Sequence, residues 1–138
     1  MEDGGETQHN DHYHFSFRIT SNRYVYIPKH RLSAMDFYVV YVTAKDEEEA
    51  GKIAIHLLEK RLIACANMFP IKSLYWWKGK IERDDEVALI MKTQKRNTKN
   101  IISEVKALHS YDVPCIEFLP IQDGNPDYMD WIRKVTTV

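Results

Sequence analysis

Residues 36–138 predict a ferredoxin-like α+β sandwich, ordered βαββαβ with an extra C-terminal helix. Three features carry that expectation: a β-branched and aromatic opening run, two amphipathic helical stretches between strands, and a Lys78-Gly79 turn joining two long strands.

The opening run Asp36–Thr43 (DFYVVYVT) is apolar on both faces, as a central strand requires. Asp46, Glu47, Glu48 and Glu49 then place acids at the positive end of a helix dipole, and Asp46 with Glu49 has capping-box spacing. Ala50, Ile53, Ala54, Leu57 and Leu58 follow at helical period, and Lys60 and Arg61 close the helix. Leu62–Ala66 and Ser73–Trp77 read as one long strand interrupted near Pro70. After the turn, Lys80–Thr93 returns through the apolar run Val87–Met91. A second helix spans Thr98–His109, with Ile101, Ile102, Val105 and Leu108 on one face. Pro114 follows its end, and Cys115–Leu119 is a short strand. Asn125 as N-cap with Pro126 at the first position starts the last helix, whose Tyr128, Ile132 and Val135 face the core. Two such halves give a four-stranded antiparallel sheet with helices on one face.

The first 35 residues differ. Met1–Asp11 is acidic, whereas His12–Ala34 carries Arg18, Arg23, Lys29 and Arg31 with no acid. Phe15–Ile19 alternates only briefly, so the segment is expected to be weakly structured, with residues 36–138 as the folded domain. It lacks the apolar core of a secretory signal, and Met35, just before the first strand, is a candidate start.

Composition excludes several functions. Four of the 19 bases and four of the 20 acids fall in the first 35 residues, leaving 15 against 16 in the domain, a balance unsuited to RNA or an anionic membrane. No apolar run approaches a membrane span. Two cysteines, Cys65 and Cys115, are too few for a disulfide framework and point to a reducing, cytoplasmic compartment. No phosphate loop, nucleophile elbow or His-Glu metalloprotease motif is present, so an enzyme is not expected. Glu82, Asp84, Asp85 and Glu86 read as a solvated charge run beside the turn.

Leu62–Asn67 (LIACAN), Ser73–Ile81 (SLYWWKGKI) and Asp85–Thr93 (DEVALIMKT) resemble the central signature of the CutA divalent-cation tolerance family. Thr43-Ala44, Leu108–Tyr111 with Pro114, and Asp127–Trp131 match its other landmarks in the same order. The resemblance implies a homotrimer assembled through sheet edges, associated with copper or another divalent ion and with no organic cofactor. The thiolate, thioether and imidazole ligands that copper takes make Cys65, Cys115, His109, Met68 and Met91 the candidates; the resemblance itself implies Cys65 and His109, which stand at family landmarks. Tyr75, Trp76, Trp77, Lys80, Lys92, Tyr111 and Trp131 become inter-subunit cleft or interface residues. The chain departs from the family pattern at Val42, where some members have cysteine, and at Cys115, where glutamate is usual. Sulfur in place of a carboxylate favours copper(I) if that position ligates.

Sequence physics also favours self-assembly. The arm from Ser73 to Glu86 is long for so small a domain, and its aromatics exceed what one subunit covers. In a ferredoxin-like sheet, Cys65 and Cys115 lie on opposite edges, about 14 Å apart, so a site using both must join two subunits. His9, His12 and His14 form a second imidazole cluster, while His56 reads as a packed or surface residue and His30 carries no signal. The alternatives are a trimeric small-ligand sensor, with Lys72, Lys80, Lys92 and Tyr111 lining an anion cleft between subunits, and a passive trimeric scaffold.

Overall fold

The computed structural model describes residues 15–20, 23–28 and 36–137. β1 (Phe15–Thr20) and β2 (Arg23–Pro28) pair antiparallel as a separate two-stranded sheet. The remainder of the first 35 residues, including His9, His12, His14, His30 and Met35, lies outside the described residues.

The domain runs β3 (Phe37–Ala44), α1 (Glu47–Glu59), β4 (Cys65–Trp77), β5 (Lys80–Gln94), α2 (Thr98–Leu108), β6 (Ile116–Pro120) and α3 (Pro126–Val135). Its sheet is antiparallel in the order β4-β5-β3-β6, which makes β3 and β5 the inner strands. The expected ferredoxin-like α+β architecture is therefore present.

Local chemistry explains the element boundaries. The Asp46 carboxylate accepts from the Glu49 N–H at 2.8 Å, and Glu49 reaches back to the Lys45 N–H at 3.0 Å, closing a capping box shifted by one residue. At the other end of α1, Arg61 adopts φ 56°. Its N–H bonds Leu58 O and the Leu62 N–H bonds Leu57 O, both at 2.9 Å, which is a Schellman stop with arginine where glycine is usual. A 3₁₀ turn, Lys95–Asn97, precedes α2. Asn125 caps α3 by accepting from the Asp127 N–H at 3.1 Å.

β4 is continuous through Pro70, contrary to the interruption expected there. It is an edge strand, where one row of backbone groups has no neighbour within the chain and a missing N–H is tolerated. The strand also starts later than expected. Leu62, Ile63 and Ala64 are buried in the approach to it, anchored by Ala64 N–H to Lys92 O at 2.8 Å.

The main core joins Val40, Val42 and Ala44 of β3 and Leu89 and Met91 of β5 to Ile53 and Leu57 of α1 and Ile101 and Val105 of α2. Strand alternation assigns these positions to one sheet face. Phe37, Cys65 and Gln94 lie on the other face, and those are what α3 meets. Ile132 packs with Phe37, Tyr128 bonds Cys65, and the Gln94 side-chain amide donates to Thr136 Oγ1 at 2.8 Å. The expectation of helices on one face thus holds for α1 and α2, while α3 covers the opposite face at one end of the sheet. In α2, Ile102 and Leu108 are exposed rather than core-facing, because Ile101 and Val105 alone reach the packed side.

Lys78 and Gly79 turn with φ 48° and 76°, both positive, as a two-residue hairpin of the I′ kind demands. Gly79→Ala is expected to cost about 1 kcal/mol through the left-handed backbone alone, since a Cβ there meets open space. Equilibrium urea unfolding checks this as a lowered midpoint.

Candidate functional site

Three regions carry the chemistry singled out in the sequence. The first is the arm. β3 pairs with β5 only as far as Val87, so beyond that point Ile71–Trp77 and Lys80–Glu86 pair only with each other. Leu74, Trp76 and Ile81 are 64%, 72% and 60% exposed, and Trp76 stands opposite Ile81. These three apolar side chains have almost nothing to pack against in one subunit. Tyr75 and Trp77 are less exposed, and Lys78 lies over the Trp77 ring. The Tyr75 hydroxyl donates to Asp84, and that carboxylate pushes the phenol up to about 12.

The second region lies at the C-terminal end of β3. The His109 side chain is fully buried. Its Nε2 donates to Thr43 O at 2.7 Å, and its Nδ1 accepts from the Tyr111 N–H at 3.1 Å. These bonds fix the Nε2–H tautomer and engage both ring nitrogens. Glu49 Oε1 sits 3.6 Å from Nδ1 and accepts from the Ser110 N–H at 2.6 Å. Burial opposes the charge on Glu49, but the Ser110 and Lys45 N–H groups outweigh it, so its pKa falls below the usual carboxylate range. The Tyr111 hydroxyl donates to Glu86 at 2.9 Å, and burial followed by the Glu86 charge raises its pKa strongly. Cys115 lies one residue before the Val42–Ile116 pair, and its thiol is raised by burial, then by Glu117 and Glu86.

Glu86 corrects the solvated-run expectation. It is 6% exposed, Asp84 is held by Tyr75, and Lys72 bonds Asp85 at 3.2 Å. A clue was available in the sequence: Glu86 directly precedes Val87–Met91, where the strand enters the sheet.

The third region gathers Cys65, Tyr128 and Trp131 under α3. Cys65 Sγ is 3.3 Å from the Tyr128 hydroxyl, whose pKa is pushed up to about 12, first by that contact and then by burial. The Tyr128 and Trp131 rings lie 5.4 Å apart, and Lys92, opposite Cys65 in register, donates to Asn67 at 3.2 Å. Nothing in the sequence pattern singled out Tyr128 as a partner of Cys65.

The structure thus brings His109, Tyr111 and Cys115 to one end of the sheet and leaves Cys65 and Trp131 at the other. The row through Cys65 crosses β6 at Leu119, four residues from Cys115, so the sulfurs are on the order of 20 Å apart across and along the sheet. Lys80 and Lys92 lie twelve residues apart on β5, roughly 40 Å, so no cleft within one chain holds both. Met91 is in the core and Met68 is exposed. His56 Nε2 lies 2.6 Å from Glu104 between α1 and α2, a packing contact. Among the described residues, no group of three or more His, Cys, Asp or Glu side chains is placed to hold a metal ion.

These features define a small ferredoxin-like α+β domain with a projecting apolar hairpin arm. The family model for the CutA1 divalent ion tolerance protein matches residues 38–135. The divalent-cation tolerance protein CutA of Archaeoglobus fulgidus is 52% identical over 95 residues, covering 69% of this chain and 93% of the relative. The solved structure described as the periplasmic divalent cation tolerance protein CutA of that organism has a TM-score of 0.72 at 48% identity, covering 73% of this chain and 99% of its own. CutA1 of Oryza sativa has a TM-score of 0.72 at 39% identity, covering 75% and 95%. This chain belongs to the CutA1 divalent ion tolerance family.

Proposed function

We propose that this chain is a homotrimeric divalent-cation tolerance protein that binds copper or another divalent ion at its subunit interfaces and has no enzymatic activity. The observation that carries the reading is the arm. An isolated two-stranded ribbon is marginal in water, and this one presents Leu74, Trp76 and Ile81 to solvent. A second copy of the same chain covers the patch, and a closed ring removes the unpaired edges of β4 and β6.

Among the described residues, the donors of one chain do not by themselves fit a metal ion. Both His109 nitrogens are engaged, and the two thiols are on opposite edges of the sheet. Edge-to-edge assembly gives Cys65 of one subunit access to Cys115 of the next, a soft donor pair suited to copper(I). Two free thiols also suit a reducing, cytoplasmic setting. No helix among the described residues is long and apolar enough to cross a membrane.

Native mass spectrometry of the full chain under reducing conditions, titrated with copper(I), copper(II) and zinc, tests both halves. The expected result is a trimer taking up about three copper ions, with uptake lost in Cys65→Ser and in Cys115→Ser. A trimer that ignores all three ions removes the metal reading and leaves the assembly. A monomer that binds copper removes the assembly.

A further inference from the structure

At the opposite end of the sheet from the arm, a cleft of about 560 Å³ opens between the start of β3, the end of β5, the N-terminal turn of α2 and α3. It is lined by Asp36, Gln94, Lys95, Arg96, Thr98, Lys99 and Arg133. Four cations therefore converge with one carboxylate. Arg133 is paired with Asp130 at 2.6 Å and lies over the Phe37 ring. Lys95, Arg96 and Lys99 enter no ion pair among the described residues.

Gathering like charges is unfavourable unless counter-charges join them; here Asp130 takes Arg133, and Asp36 is the one carboxylate lining the cleft beside Lys95, Arg96 and Lys99, which leaves it net positive. The Asn97 amide reaches inward to Leu62 O and Thr136 O, both at 3.5 Å, and makes no cap bond to α2, whose first turn holds Lys99 and no acid. The Thr98 N–H at the start of that helix is taken up by Lys95 O of the preceding 3₁₀ turn, so the positive field of the cleft comes from its side chains. The volume is that of a small-molecule site, and the domain lacks the extended basic surface a nucleic acid needs.

We propose that this cleft binds a small polyanion of the phosphate class carrying two or more phosphate groups. Three uncompensated cations over-neutralise a single carboxylate, whereas adjacent phosphates match them, and the Arg96 guanidinium suits phosphate oxygens in a fork. Asp36, just ahead of β3, and Gln94, at the end of β5, lie by the inner strands and away from the outer edges β4 and β6 through which assembly is proposed. The site is separate from the proposed metal donors and does not depend on them.

The test is calorimetric titration of the full chain with inorganic pyrophosphate, inorganic phosphate and chloride at matched ionic strength. Pyrophosphate is expected to bind saturably, one per chain and more tightly than phosphate. The Arg96→Glu, Lys99→Glu double variant should lose about 30-fold or more in affinity with its melting temperature retained, as both residues are exposed. A matched reversal outside the cleft, Lys106→Glu with Lys134→Glu, should change affinity by no more than about threefold. Absence of saturable pyrophosphate binding overturns the proposal. Equal loss in the two double variants also overturns it, because the attraction would then be a property of net charge and not of this cleft.

Discussion

If the chain is the trimer proposed above, Trp76→Glu is expected to convert it into monomers at micromolar concentration, read as a threefold drop in mass by light scattering after size exclusion. Trp76 is 72% exposed on an arm held by one strand pair, so nearly all its apolar surface is available to a partner. A tryptophan side chain buries about 150–250 Å², and at ~25 cal/mol per Å² the exposed part corresponds to about 3–4 kcal/mol at each interface. The substitution removes that term and brings a carboxylate that must be desolvated if the interface still forms. A ring has three such interfaces, so the loss is applied three times. Folding of the subunit should survive, because Trp76 belongs to neither packed cluster. Far-ultraviolet circular dichroism checks that point. A trimer that persists with unchanged mass would show that the arm is not the contact.

How much of this was readable before the structure depends on which interactions are local. The α1 cap, the Lys78-Gly79 turn and the Asn125-Pro126 start of α3 each rest on residues within a few positions of one another, and each formed where expected. The core face of β3 and β5 followed from apolar runs whose alternation fixes which residues look inward. Pro70 misled because a proline signals a break only where a neighbouring strand needs its N–H, and edge position is a property of the whole sheet. Glu86 was misread, and the engagement of both His109 nitrogens was not legible, for a related reason. Acidity in a charge run and an imidazole in a helix-ending segment say nothing about Tyr111 or Thr43, which lie far away in sequence and satisfy them. The placement of α3 on the second face likewise depends on contacts from Phe37 and Gln94 across the chain. Periodicity therefore located the elements and their core faces and the family resemblance the candidate residues, while the availability of those residues depended on long-range hydrogen bonds that no local pattern encodes.

Glu49→Gln is expected to destabilise the subunit by about 2–3 kcal/mol at neutral pH, measured as a shift in the denaturant midpoint. The carboxylate joins two pieces of chain: the Lys45 N–H ahead of α1 and the Ser110 N–H after α2. It is 7% exposed, so the backbone donors it satisfies have little water to turn to. A glutamine offers one acceptor oxygen where the carboxylate offers two, and its NH₂ group faces an N–H donor, so one buried donor is left unsatisfied. The pH dependence follows from the direction of the Glu49 shift. Its folded pKa lies below the ordinary value, held there by the Ser110 and Lys45 bonds against the opposing effect of burial. Its contribution is therefore fully present above the unfolded pKa of a glutamate and is lost as pH falls through the lowered folded value. Wild type and Glu49→Gln should differ most near neutrality and converge in acid, below about pH 4. A stability gap that stays constant from neutral to acidic pH would mean that the bonds matter through shape and not through charge. The same profile would then assign the His109–Tyr111 corner to packing alone.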